Sequence, residues 1–314
     1  MLIFILKRLL FGIVLLFVVA SGTFFLTHIA IPNPALNLLG SGGATPEAVA
    51  ALTQKIGTDR PVLVQYQEWL VNTLQGDFGD SWKNGQPVAK ILGIRLPVTL
   101  SLVIASVALS AVLAAVLGIA AGLRPYSWID KTVKAASVIL FALPGFWVAV
   151  ALVMTFAVQL KWFPAIGYVP LSTSFSGWMR SITLPAVSLA LGAIVMIAEQ
   201  LRNGIIHADG QDYIRTLRSR GVPFWRVAMH LLRNSAPASL TILALMFVGL
   251  LSGAIIVEQV FGIKAIGELT QSSSQNGDIP MLMGITVVTV VFVVIVNLLL
   301  DIVLGWINPK VRVK

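Results

Sequence analysis

Six stretches of this chain are apolar for long enough to cross a lipid hydrocarbon layer, and no other feature restricts its folds as much. They cover 9–31, 98–123, 135–160, 181–198, 234–257 and 279–300. A membrane helix needs about 20 such residues. The fourth stretch is short, and it continues through Glu199, Gln200 and Leu201. Lipid offers the backbone no hydrogen-bond partners, so each run must pair its own N–H and C=O groups and is therefore helical. Composition agrees. Charged residues make up 11% of the chain and hydrophobic ones 57%, whereas a soluble domain carries about 25% charged residues. The expectation is an all-α membrane protein of six transmembrane helices, with an extracytoplasmic segment between the first and the second.

The first run follows Lys7 and Arg8 and holds Val-Val-Ala-Ser at 18–21, which resembles a cleavable signal peptide. Its apolar stretch continues through Phe24, Phe25 and Leu26 to Ile31, long for a signal core, so a retained helix is expected. Orientation follows from lysine and arginine in the short loops. With the N-terminus inside, the inner loops hold Arg124, Lys131, Lys134, Arg202, Arg215, Arg218, Arg220, Arg226 and Arg233. The short outer loops hold only Lys161, Arg180 and Lys264. Lys310, Arg312 and Lys314 then place the C-terminus inside as well. The net charge of +9 is thus read as topology rather than as nucleic-acid binding.

Several chemistries are excluded by what the sequence lacks. It has no cysteine, so disulfides and thiol catalysis are out. No phosphate-binding loop of the form GxxxxGK(S/T) occurs, so the chain is not expected to hydrolyse ATP. His28, His207 and His230 have no metal-ligand spacing, and neither GxSxG nor HExxH is present. No catalytic residue, cofactor or metal is expected.

The polar groups in or near the spans are few: Glu199, Gln200, Glu258, Asn297 and Asp301. Such groups face a bundle interior, where they either line a solute path or gate or close an interhelical hydrogen bond. Pro144, followed by Gly145, offers either a hinge or a bend that fits a neighbour. The outer segment 32–97 holds a short helix over 62–74, with Val64, Tyr66, Trp69 and Leu70 available for packing.

The inner segment 202–233 carries most information. Asp209 or Asp212 can cap a short helix. Gly221 and Pro223 end it and start a second one, in which Phe224, Val227, Ala228 and Leu231 share a face. Tyr213 and Leu217, four apart, can form an apolar knob flanked by Arg215 and Arg218. Such a corner either lies on anionic lipid or docks a cytoplasmic partner.

These residues resemble the inner-membrane permeases of the dipeptide, oligopeptide and nickel branch of ATP-binding-cassette (ABC) importers, specifically the "B"-type subunit. The resemblance runs through Asp59-Arg60-Pro61-Val62-Leu63-Val64-Gln65-Tyr66, Gly76-Asp77-Phe78-Gly79 and Arg95-Leu96-Pro97-Val98-Thr99-Leu100. It continues through Trp162-Phe163-Pro164, Leu184-Pro185-Ala186, Leu232-Arg233-Asn234, Val257-Glu258-Gln259-Val260-Phe261 and Asn308-Pro309-Lys310-Val311-Arg312. The loop Asp212-Tyr213-Ile214-Arg215-Thr216-Leu217-Arg218-Ser219-Arg220-Gly221 matches most closely. In the wider superfamily that loop begins Glu-Ala-Ala; Arg215-Thr216-Leu217 stands there instead, with Gly221 at the glycine position. Ala265-Ile266-Gly267 departs slightly from the usual Gly-Leu-Gly turn.

The resemblance implies a type I ABC importer fold. It divides the chain into a first helix (1–31), an extracytoplasmic segment (32–97), a transmembrane domain (95–305) containing the coupling loop (202–233), and a cytoplasmic tail (306–314). It implies a bacterial-type inner membrane, a homologous second permease, two cytoplasmic ABC ATPase subunits holding the hydrolysis, and an extracytoplasmic solute-binding protein. The coupling residues would be Asp212, Tyr213, Arg215, Thr216, Leu217, Arg218, Arg220 and Gly221, with Pro144, Glu258, Asn297 and Asp301 as candidates for gate or path. Peptides, nickel chelates, glutathione-like compounds and oligosaccharides all remain open as solutes. An ion-coupled secondary transporter would need membrane-embedded carboxylates or inverted repeats; a non-transporting scaffold would not need the loop.

Overall fold

The computed structural model describes residues 2–307, all of whose regular elements are helical. The ending Asn308-Pro309-Lys310-Val311-Arg312 and Lys314 lie outside the described residues. In chain order the helices are α1 (Leu2–Ala30), α2 (Pro34–Gly43), α3 (Pro46–Ile56), α4 (Val62–Leu74), α5 (Val88–Leu123) and α6 (Trp128–Ala142). They continue with α7 (Gly145–Leu152), which runs into a π-helical stretch (Val153–Gln159), then α8 (Phe175–Asp209), α9 (Asp212–Ser219), α10 (Phe224–Val260), α11 (Ile266–Asn276) and α12 (Ile279–Ile307).

Among the described residues, α1, α5, α8, α10 and α12 are each long and apolar enough to cross a membrane. The third expected span is broken. α6 and the α7 stretch meet at 104°, where the sequence suggested one helix bent at Pro144. The cause is local. Proline's ring drives the residue before it out of the helical region, and Leu143 is extended at φ −85°, ψ 129°. Pro144 follows at φ −59°, ψ 132°, so two consecutive residues leave the helix.

The long helices also overrun their apolar stretches. α10 begins at Phe224, ten residues before the apolar run, so the second of the two short helices expected in the inner loop is the first turns of the fifth span. Hydrophobicity marks where lipid begins, whereas backbone hydrogen bonding continues wherever nothing breaks it. α8 explains why its own run looked short. Of its most apolar stretch 72% is buried, against 6–33% for the other four spanning helices. A helix enclosed by protein tolerates polar residues that a lipid-facing one does not.

The chain divides into two compact units. One comprises Thr99–Ile263 with residues 296–307; the other comprises Leu2–Val98 with Lys264–Ile295. In the second unit, α4 has the bounds read from the sequence. Its Tyr66 and Trp69 rings pack on Phe24 of α1 at 5.3 and 5.4 Å, and the Ser21 and Tyr66 hydroxyls share a hydrogen bond of 2.7 Å. Ile279, Met283 and Trp82 complete this cluster. Tyr66 and Trp69 are therefore covered by the chain's own first helix, and they give no reason to invoke a partner. Val64, expected to pack, is exposed.

Asp278 secures the turn after α4. Buried itself, it accepts from Ser81 Oγ at 2.5 Å and from the Trp82 N–H at 3.1 Å. This holds the Asp80–Pro87 bridge against the start of α12.

Candidate functional site

The loop between α8 and α10 lies in the first unit. α9 is anchored by Ile214, fully buried in a cluster of Leu201, Ile205 and Ala208 from α8 and Val227 and Leu231 from α10. Leu217 and Val222 pack on the same cluster. The end of α9 is a Schellman motif. The Val222 N–H donates to the Leu217 carbonyl at 3.1 Å and the Gly221 N–H to the Arg218 carbonyl at 3.0 Å. That motif needs a left-handed residue after the cap, favoured as glycine, and Gly221 has φ +71°.

Three sequence expectations about this loop fail. Neither Asp209 nor Asp212 caps α9; its N-cap is Gln211, which makes no side-chain cap bond. Asp209 instead accepts from Arg218 Nη2 at 2.5 Å. The knob of Tyr213 and Leu217 does not exist. Leu217 turns toward the chain's own core, while Tyr213 is exposed and its hydroxyl accepts from Asn234 Nδ2 at 2.6 Å. In a helix, Ile214 and Leu217 are the neighbouring pair at i, i+3, and that spacing was the signal for the buried side. Finally, Phe224 does not share the buried face of Val227 and Leu231; it is exposed, as are Trp225 and Met229.

What α9 presents outward is polar. Arg215, Thr216, Arg218 and Arg220 are exposed, as is Asp212. Arg215 pairs with Asp212 at 3.8 Å. Both that pair and Arg218–Asp209 are solvent-exposed and stabilise by at most about 1 kcal/mol, so the arginines remain available to a partner.

Behind the loop sits an ion pair that single-residue reading did not reveal. Arg202 of α8 donates to Asp130 of α6 through Nε and through Nη2, the latter at 3.0 Å. Asp130 is 1% exposed. It also accepts from the Tyr126 N–H at 2.7 Å, and Lys134 lies 3.9 Å away. Arg202 Nη1 donates to Asn203 at 2.7 Å.

Of the four candidates for gate or path, Glu258 is fully buried and accepts from Thr99 Oγ1 at 2.6 Å. Asn297 and Asp301 are half-buried on α12. Pro144 lines a cavity of about 460 Å³, with Gly145, Gly192 and Gly249 among its walls. A side chain added at Gly192 or Gly249 would meet nothing within 4 Å.

A second cavity of about 600 Å³ lies toward the loop end of the same two helices. The exposed or half-exposed residues of α8 that border the two cavities include Gly192, Met196, Gln200, Asn203 and His207. Their spacing places them on one helical face. On α10 the matching face carries Asn234, Ala238, Thr241, Leu245, Gly249 and Ile256. This wall is apolar and glycine-lined at one end, amide-lined at the other, and bears no carboxylate, lysine or arginine.

Comparison with known proteins gives the class to which such a membrane protein belongs. Residues 114–313 match the binding-protein-dependent transport system inner membrane component family, and residues 1–103 match the N-terminal region of the same membrane components. The chain belongs to this family: it is an inner-membrane permease of an ABC importer, a multi-pass membrane protein with the all-α type I importer fold. A Brucella abortus (strain 2308) protein provisionally named a peptide transport system permease is 36% identical over 98% of both chains. The oligopeptide transport system permease AppB of Bacillus subtilis (strain 168) is 34% identical over 98% of this chain and 99% of its own. The metal-staphylopine import system permease CntB of Staphylococcus aureus (strain NCTC 8325 / PS 47) is 29% identical over 98% of both.

Proposed function

We propose that this subunit pairs with a homologous permease to form the membrane path for peptides or similar small solutes. Two cytoplasmic ABC ATPases drive it through α9, and an extracytoplasmic binding protein delivers solute. Residues 32–97 lie outside, the coupling loop 202–233 and the tail 306–314 lie inside, and 95–305 form the transmembrane domain. Both termini are cytoplasmic.

The observation that carries this reading is the build of α9. One side is fixed to α8 and α10 through Ile214, Leu217 and the Schellman turn at Gly221. The other side offers Arg215, Arg218 and Arg220. Arginine forks suit acidic or carbonyl-rich grooves. A short helix so fixed transmits a push on its outer face to two spanning helices at once. ATP-driven closure of the ATPases would draw such helices together and rock the spans between outward- and inward-facing states, a rigid-body transition between discrete arrangements. Peptide is favoured as solute because two of the similar permeases are named for peptides, while the metal-staphylopine relative shows how far cargo varies at this similarity.

The test is reconstitution of the full complex in vesicles. ATP-dependent uptake of a short peptide given with its binding protein supports the assignment. A complex that assembles and hydrolyses ATP without moving any peptide rules peptide out.

A further inference from the structure

We infer that the cavity beside α9 is a binding site for solutes bearing peptide bonds, read through neutral side chains at the inner mouth of the path. The inference rests on the path and orientation proposed above and adds to them a place and a chemistry. The cavity, of about 600 Å³, falls in the ordinary range for small-molecule sites, about 300–1,000 Å³. Its floor is the crossing of α8 and α10, where a side chain at Gly204 would come within 2.7 Å of Ser235 Cβ.

Gln200, Asn203 and His207 come from α8, Gln211 and Tyr213 from α9 and its cap, and Asn234 from α10. Their hydrogen-bonding capacity is only partly used. Asn203 Oδ1 accepts from Arg202 at 2.7 Å, which leaves its Nδ2 to donate. Asn234 Nδ2 donates to the Tyr213 hydroxyl at 2.6 Å and to the His230 carbonyl at 3.1 Å, which leaves Oδ1 to accept. The Tyr213 hydroxyl, accepting in that bond, keeps its own proton. The Gln200 side chain makes no hydrogen bond among the described residues. The cavity thus offers donors and acceptors side by side.

A peptide unit needs both, one N–H and one C=O per residue, and a side-chain amide supplies both. No Asp, Glu, Lys or Arg lines the cavity. The wall therefore offers no opposite charge to hold a lone ion. Recognition there therefore falls on the repeating backbone of a peptide and not on its variable side chains, as a carrier of mixed peptides requires. The Tyr213–Asn234 bond makes α9 part of the wall, so an occupant touches the same element that meets the ATPase.

The chain has no cysteine, so Gln200→Cys reports on the cavity directly. In inside-out vesicles holding the assembled complex, N-ethylmaleimide labelling of this subunit is followed with tri-alanine added, with raffinose (a sugar of comparable bulk lacking amides), or with neither. Tri-alanine should slow labelling about tenfold at ten times its half-protecting concentration. Raffinose should leave it unchanged, and neither should affect Thr132→Cys, an exposed inner-side control. Equal protection by raffinose would overturn amide recognition. Absence of protection in a complex whose ATPase still responds to peptide would overturn the site and leave the permease assignment standing. Tri-alanine that neither protects nor stimulates would overturn both the site and peptide as the solute.

Discussion

Arg202 and Asp130, 72 residues apart in sequence, meet in a two-pronged ion pair that joins the start of α6 to the C-terminal half of α8. Both are buried. Desolvation offsets much of the attraction in such a pair, yet removal of one partner strands the other and is destabilising by about 3–5 kcal/mol.

Asp130→Asn and Arg202→Leu should therefore each lower the melting temperature of the detergent-solubilised protein. The double variant Asp130→Asn with Arg202→Leu should be less damaged than the two single losses summed. Additive losses would mean that the two residues act independently.

This pair also shows what could be read from the sequence and what could not. Each run of about 20 apolar residues reports its own environment, so the spans were legible, as was α4, whose aromatic spacing fits one face of a helix. Gly221 was legible because few residues suit a positive φ. Asp130 and Arg202 were not, because each looks like an ordinary interfacial charge until packing brings them together. The sharpness of the break at Pro144, where the sequence offered only a bend, and the start of α10 ten residues before Asn234 were not legible, for a related reason: apolar runs trace lipid contact, whereas helix limits are set by backbone geometry. At the inner loop the apolar pair was placed one residue out. Ile214, not Tyr213, is the anchor, and a shift of one residue turns a helix face by about 100°.

Trp69 of α4 stacks on Phe24 of α1. Trp69→Ala should lower stability by about 1–3 kcal/mol, less than a fully buried aromatic because Trp69 is half-exposed. A thermal melt checks this. An unchanged melt would mean that α4 does not hold α1 in the protein as it stands in the membrane.

Topology can be tested with single cysteines in this cysteine-free chain. Ser174 is a poor reporter, since its hydroxyl accepts from the Gly177 N–H at 3.1 Å and caps α8. Ser172 is exposed nearby. An impermeant thiol reagent applied outside intact cells should label Ser172→Cys and spare Ser219→Cys. The reverse pattern would invert the proposed orientation.

Leu217→Asp should act mainly on stability, because Leu217 packs on the chain's own cluster rather than on a partner. Its expected signature is lower subunit yield together with lower uptake. Full yield with lost uptake would instead place Leu217 in a contact with another subunit.

In the proposed complex α9 is the element through which ATP hydrolysis is coupled to transport. Gly221→Val would force a β-branched residue into φ +71°, a strain of about 1–2 kcal/mol, while Arg215→Glu reverses a charge on a fully solvated face. Neither residue belongs to an apolar span, so both variants should insert normally. The decisive measurement is peptide-stimulated ATP hydrolysis by the complete complex in vesicles. The account predicts that both variants assemble with the second permease yet lose stimulation by at least about tenfold, roughly 1.4 kcal/mol of coupling. Wild-type stimulation in both would contradict it and leave α9 as a surface helix without a part in transport.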